Sequence, residues 1–164
     1  MISIVNNHEY IAKYSGISKN PSTQSYIIVM DLYDCDLHNF PTKKFWDLEW
    51  KLKIDILASI AYGLESLHIK DFIHYNLHSG NVLLNDKFDL YCYDLIIDLE
   101  LCQLENYLIL NNKINKIHGS IPYIPPEVLK GNEFIKKGDI YNFGGIMYEI
   151  VTAQQPFADQ AHDN

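Results

Sequence analysis

Phe72-Ile73-His74-Tyr75-Asn76-Leu77-His78-Ser79-Gly80-Asn81-Val82-Leu83-Leu84 is the stretch on which the reading of the fold turns. Its polar middle runs into Val82-Leu83-Leu84, which reads as a strand, with Tyr91 to Ile97 as another beyond the turn Asn85-Asp86. Upstream, Leu52, Ile56, Leu57, Ile60, Ala61, Leu64 and Leu67 recur at three and four residues, so the spacing predicts a long amphipathic helix from about Leu48 to Ile69. Asp47 is placed to cap it. Earlier still, Ile11 to Ile17 and Tyr26 to Leu32 are β-prone runs joined by Lys19-Asn20-Pro21-Ser22-Thr23, the chemistry of a hairpin turn. The second of these strands reads as buried on both faces. Between hairpin and helix, Tyr33 to Phe40 is polar with spaced hydrophobes, suited to a linker and a short helix closed by Pro41-Thr42.

Downstream, Asn111 to Lys116 is polar and loop-like, and Pro125-Pro126 can open a short helix through Glu127-Val128-Leu129. From Asp139 to Thr152, apolar residues lie around most of the circumference, the pattern of a helix enclosed in a core. No repeat or low-complexity tract divides the chain. Its 164 residues, 48% hydrophobic, suffice for the core of one domain or part of one.

Acidic residues number 21 against 13 basic ones, giving a net charge of -8, which repels phosphate backbones and anionic membrane surfaces. Neither nucleic acid nor membrane is expected as a partner. All the basic residues other than histidine are Lys, so no guanidinium is available to grip a phosphate or carboxylate in two-pronged fashion. Cys35, Cys92 and Cys102 are odd in number and widely spaced, and read as reduced packing residues. The N-terminus shows no signal-peptide core and no apolar run is long enough to span a bilayer, so a soluble, cytoplasmic protein is the expectation.

Four motifs occur in order. The first is the loop His74 to Asn81. Asp98-Leu99-Glu100-Leu101-Cys102 is the second, and Gly119-Ser120-Ile121-Pro122-Tyr123-Ile124-Pro125-Pro126-Glu127 the third. Lys137-Gly138-Asp139-Ile140-Tyr141-Asn142-Phe143-Gly144-Gly145 is the fourth. In this order they resemble the catalytic loop, the D-F-G start and A-P-E end of the activation segment, and the F-helix opening of protein kinases. The L-H-S-G-N form of the loop leans towards the tyrosine-kinase-like group. The resemblance covers essentially the whole chain.

It implies an α+β, protein kinase-like fold that is incomplete. Residues 1–33 would be a remnant of the N-lobe sheet, a β-hairpin with the hinge, and residues 34–164 the helical C-lobe through the F helix. It further implies a site for ATP and Mg, with Asn81 and Asp98 as the metal ligands, oxygen donors suited to a hard cation. Asp94 is a rival to Asp98, being closer to the family's usual distance from Asn81; Asp98 is preferred because Leu-x-Leu-Cys follows it. Leu83 would lie beneath the adenine, Met30 would be the gatekeeper, the backbones of Asp31 and Tyr33 would be hinge contacts, and Asp36 would approach the ribose. His74 would be a packing residue, Asp139 would brace the catalytic loop from below, and Glu127 would anchor the activation segment. The loop context therefore argues against reading His74 and His78 as a metal pair.

The departures carry as much as the matches. Asn76 stands where kinases have the proton-accepting Asp, and a neutral amide cannot take a proton. Losing a general base costs roughly 10²- to 10⁴-fold in rate, or about 3 to 5 kcal/mol of barrier. Tyr75 replaces the Arg that would hold a phosphorylated activation loop, and Glu100 stands where the family has Gly. Tyr107 and Ser120 are candidate phosphosites, with Ser120 more simply read as a turn residue. The chain is expected to begin after the Gly-rich loop, strand lysine and helix glutamate, and to stop before the helices that supply an Arg partner for Glu127.

Two functions are compatible with these residues. One is a degenerate kinase domain or fragment that binds nucleotide or a protein partner, with ATP and Mg held weakly or not at all. The other is a working kinase of the tyrosine-kinase-like group whose ATP-binding N-terminal part lies outside the chain. The F helix, uncovered by later helices, would leave an apolar patch that calls for a partner. The isolated chain is expected to be oligomeric or poorly soluble; a sharp, cooperative melt of a monomer, measured by calorimetry beside size-exclusion chromatography, would count against this.

Overall fold

The apolar stripe of the long upstream helix organises the molecule. The computed structural model describes residues 10–40, 48–85 and 120–158, and the backbone of 94–97 and 103–104. Helix α1 (Trp50–Ile69) buries Ile56, Ile60, Leu64 and Leu67, the positions that the three-and-four spacing selects. Each such side chain contributes roughly 1.5 to 3 kcal/mol when fully withdrawn from water. Its N-cap is Glu49, whose side chain makes no capping bond, and Asp47 lies outside the described residues. The helix stops where Asp71 turns left-handed at φ 58°, its N–H donating to the carbonyl of His68 at 3.1 Å.

Strands β1 (Tyr14–Lys19) and β2 (Tyr26–Met30) form the antiparallel hairpin. Asn20 closes the turn, its Oδ1 accepting the N–H groups of Ser22 at 2.9 Å and Thr23 at 3.1 Å. The expectation that β2 is buried on both faces is not met: Tyr26, Ile27, Ile28 and Val29 are exposed, Ile28 by 50%. The physical reason is that the hairpin is a two-stranded ribbon with no covering layer among the described residues. Only its base is anchored, where Ile11, Ala12 and Tyr14 pack with Leu67 and Phe72, flanked by Met30 and Tyr33.

Beyond the hairpin, β3 (Cys35–Asp36), β5 (Val82–Asn85) and β6 (Asp94–Ile97) make a three-stranded antiparallel sheet in the order β3-β5-β6. A second small ladder pairs β4 (Phe72–Ile73) with β7 (Gln103–Leu104). The short helix anticipated before Phe40 is absent. Asp36 instead folds the chain into a turn, its two carboxylate oxygens accepting from the N–H and side-chain amide of Asn39 at 2.7 and 2.8 Å. Leu37 extends the pairing, its N–H donating to the Val82 carbonyl at 2.8 Å. Cys35 is half-buried against the main core; Cys92, Cys102 and the loop Asn111 to Lys116 lie outside the described residues.

Pro126 opens the short helix α2 (Pro126–Leu129), and α3 (Lys136–Thr152) completes the described elements. The main core joins α1 and α3 through Leu37, Ile60, Leu64, Leu77, Val82, Leu84, Tyr123, Ile146 and Ile150. The expectation that α3 is enclosed on nearly all sides holds for one side. Asp139, Asn142, Ile146, Glu149 and Ile150 face inward, whereas Ile140, Tyr141, Met147, Tyr148 and Val151 are exposed. Among the described residues only one layer packs on this helix. None of the described helices is long and apolar enough to cross a membrane.

A tight contact fixes the start of α3. A Cβ at Gly138 would lie 2.6 Å from Phe134 Cζ, inside van der Waals contact, and Phe134 in turn packs with Ile73 and Tyr75. Gly138→Ala is therefore expected to destabilise the chain by about 1 to 3 kcal/mol, as overpacking does. Phe134→Leu in the same chain should return part of that loss. Urea denaturation of the two variants checks both statements.

Candidate functional site

The loop between β4 and β5 is laid along the buried face of α3. Asp139, in the first turn of that helix and wholly buried, holds its beginning: Oδ2 accepts the His74 N–H at 2.9 Å and Oδ1 the Tyr75 N–H at 3.0 Å. Its third partner comes from α1, where His68 Nε2 lies 2.8 Å from Oδ2. A carboxylate can accept several hydrogen bonds at once, and a buried one must. One side chain thus ties together a helix end, a loop and a second helix.

The loop's own geometry follows from this clamp. Tyr75 adopts φ 72°, a left-handed conformation uncommon for a non-glycine residue, and its own N–H and that of His74 before it are held by Asp139. Its ring is buried and packs against Phe134 with centroids 4.8 Å apart, and burial raises its phenol above the ordinary value. Where the kinase resemblance expects a cation, this loop carries an aromatic plug.

Asn76 is buried next in the chain, its N–H donating to His74 Nδ1 at 3.3 Å. Its carbonyl accepts Asn81 Nδ2 at 2.9 Å, so the loop brings Asn76 and Asn81 together. Because the amide nitrogen of Asn81 is committed there, Oδ1 is left as that side chain's acceptor oxygen, a donor type that suits a hard cation. His78 Nδ1 accepts the Gly80 N–H at 3.1 Å, and a Cβ at Gly80 would lie 2.9 Å from His78 Cε1. His78 thus closes the loop turn, while His74 is fully buried within it.

Residues on either side of the ladder meet in part. Asp36 stands opposite Leu83 across the β3–β5 pair. Met30 and Tyr33 lie together at the base of the hairpin, and the Asp31 N–H donates to the Lys13 carbonyl at 3.2 Å. In β6 the backbone of Ile97 is opposite Val82, next to Asn81, and Asp94 is opposite Asn85. Three residues of strand, about 10 Å, therefore separate the register position of Asp94 from the Asn81 end. Asp98, Glu100 and Tyr107 lie outside the described residues. Glu127 is exposed on α2 and is not brought to the loop.

A second buried carboxylate holds the loop's far end, and sequence reasoning did not single it out. Tyr123 donates its hydroxyl to Glu149 Oε2 in α3 and lies 3.2 Å from Ser79 Oγ. Burial, reinforced by the Glu149 carboxylate, keeps the Tyr123 phenol protonated well above its ordinary range. The signal was present as an acid on the apolar side of α3, ten residues and nearly three turns after Asp139. His68 was likewise legible only as a polar residue in the last turn of α1.

With this geometry in hand, similarity to known proteins is informative. The family model described as protein tyrosine and serine/threonine kinase matches residues 1–164. The chain is 31% identical over 159 residues to a probable serine/threonine-protein kinase, roco6, of Dictyostelium discoideum, covering 93% of this chain and 7% of that protein. It is 32% identical over 113 residues to the brassinosteroid LRR receptor kinase BRL3 of Oryza sativa subsp. japonica, covering 67% of this chain and 9% of that one. The solved structure of the Cydia pomonella granulovirus kinase PK-1 superposes with a TM-score of 0.71 at 19% identity, over 93% of this chain and 53% of the virus protein. The chain therefore spans a small part of these two long relatives and about half of the solved kinase, whose likeness establishes the fold.

Replacing Asp139 should be among the most damaging changes in the molecule. Asp139→Ala leaves the two loop N–H groups without their acceptor and is expected to cost at least about 3 kcal/mol, given roughly 1.5 to 3 kcal/mol per hydrogen bond to a charged group. The exposed Glu127→Gln should stay within about 0.5 kcal/mol of the parent. Chemical denaturation of the two variants makes the comparison.

Proposed function

This chain belongs to the protein tyrosine and serine/threonine kinase family, and we propose that it is a kinase domain fragment impaired in phosphoryl transfer that acts by binding a nucleotide or a protein partner. The observation that carries the proposal is Asn76: the loop is folded and clamped, yet the residue at the proton-accepting position is an amide. Its backbone is engaged at both polar groups, so the loop supports a positioned side chain that has no basicity to offer.

Nucleotide and metal binding belong to the same proposal. Asn81, through Oδ1, and Asp98 would hold Mg, and Met30, the backbones of Asp31 and Tyr33, Asp36 and Leu83 would border the adenosine. When bound, the metal would neutralise charge on the phosphates. What this chain's residues contribute is position: Asn81 is kept in place by the Asn76 carbonyl, and Asp36 by its turn with Asn39. Loose binding is expected, since all of the chain's basic side chains other than histidine are lysines and no guanidinium can clamp a phosphate. A protein partner is favoured by the exposed apolar stripe Ile140, Met147, Tyr148 and Val151 on α3, and a cytoplasmic setting by the reduced cysteines read from the sequence.

Thermal shift with Mg-ATP, followed by phosphate incorporation into the chain and into a general protein substrate, tests this reading. The expected result is a small or absent shift and incorporation at background, with Asn76→Asp alone failing to restore it. Robust incorporation by the unmodified chain would overturn the proposal in favour of a working kinase.

A further inference from the structure

Three glycines lie in α3, and only two of them have a reason inside the chain. A Cβ at Gly138 would lie 2.6 Å from Phe134 Cζ, and one at Gly145 would lie 2.8 Å from Tyr123 Cδ1, so both positions are closed by a packed ring. A Cβ at Gly144 would meet nothing within 4 Å. Glycine inside a helix costs roughly 0.5 to 1 kcal/mol relative to alanine, and no contact within the chain accounts for that cost at Gly144. Gly144 is exposed, on the outer side of the helix.

Its neighbours on that side form a pattern. Ile140, Gly144, Met147 and Val151 follow one another in steps of four, three and four residues, the spacing of a seam between paired helices. Tyr141 and Tyr148 run along one flank. The five large side chains of this face are each 38 to 55% exposed. Because the steps read the same from either end, a second α3 laid antiparallel sets Ile140 against Val151 and Met147 against Gly144, and the two-fold axis repeats both contacts. The bare backbone at Gly144 is then the hole, and the unbranched Met147 side chain of the other copy is the knob that fills it.

We propose that this face docks on the same face of a second copy, giving a closed two-fold dimer through antiparallel α3 helices. A second copy is then the partner in the binding role proposed above, on which this assignment rests. None of the seam residues is charged, so the net charge of -8 on each copy opposes association only at long range, where salt screens it beyond about 8 Å. Lys137, exposed at the start of α3, comes beside the C-terminal end of the other copy's helix, where the last carbonyl groups favour a cation. The face offers on the order of 500 Å² per copy, counting about half of each large side chain. That is less than the roughly 800 Å² per partner of a standard stable complex, so the dimer forms and dissociates with concentration.

Sedimentation equilibrium of the whole chain, from about 10 µM to about 500 µM, tests the dimer. The parent should approach twice its 19.0 kDa as concentration rises and go no further. Gly144→Lys should weaken association by about 30-fold or more, as loss of a central hot spot does. Its melting temperature as a monomer should not fall, since the added side chain meets open space in the single chain. Met147→Glu should weaken association likewise. Mixing these two variants should restore a dimer, because the introduced charges of opposite sign then face each other across one half of the interface. Ile28→Lys, on the exposed hairpin, should leave association unchanged. A monomeric parent, open-ended aggregates, dissociation by Ile28→Lys in place of Gly144→Lys, or variants that fail to associate when mixed would overturn the dimer. Phosphate incorporation by the parent reports separately on the lapse of catalysis, so either reading can fail while the other stands.

Discussion

A single buried carboxylate organises the site. Asp139 is withdrawn completely from water, and withdrawing a charge is costly unless each of its lone-pair directions is met. They are met by the backbone of His74 and Tyr75 and by the ring of His68. Because two of the three donors are consecutive main-chain N–H groups, the carboxylate dictates the backbone path of the loop rather than the pose of one side chain. The left-handed turn at Tyr75, the presentation of Asn76 and the reach of Asn81 back to the Asn76 carbonyl all follow from that path.

Glu149 repeats the device at the other end. Asp139 and Glu149 share the inward side of α3 with Asn142, Ile146 and Ile150, so the helix presents a charge, an apolar stretch and another charge to the loop that crosses it. The apolar stretch supplies adhesion and the charges supply register. Chemistry placed on such a scaffold can lapse without the scaffold failing, because Asn76 contributes main-chain hydrogen bonds that an Asp would have contributed as well.

Much of this was legible before any coordinates. The spacing of Ile56, Ile60, Leu64 and Leu67 set the long helix, and the order of the four motifs identified the fold. Contacts between residues distant in sequence were not legible: the pairing of His68 with Asp139, or of Tyr123 with Glu149, depends on how α1 and α3 face one another. Burial misled where apolar residues run on without a clear period. Tyr26 to Val29 and the outer side of α3 have the composition of core elements, yet composition states a capacity for burial and says nothing about whether a covering layer packs there. Asp36 misled for a different reason, since its turn with Asn39 competes locally with the helix that the hydrophobe spacing suggested.

The packing of Tyr75 bears on how this domain can change over evolutionary time. Its ring fills a small apolar cluster with Ile73 and Phe134, and Gly138 is bare beneath Phe134 to make room. An arginine introduced at this position would have to bury its guanidinium among those side chains or swing out and leave Phe134 over a void. Either course carries a cost in stability that the loop, held by Asp139, cannot relax away. A loop governed by a phosphate would require the cation, the aromatic and the glycine to change together.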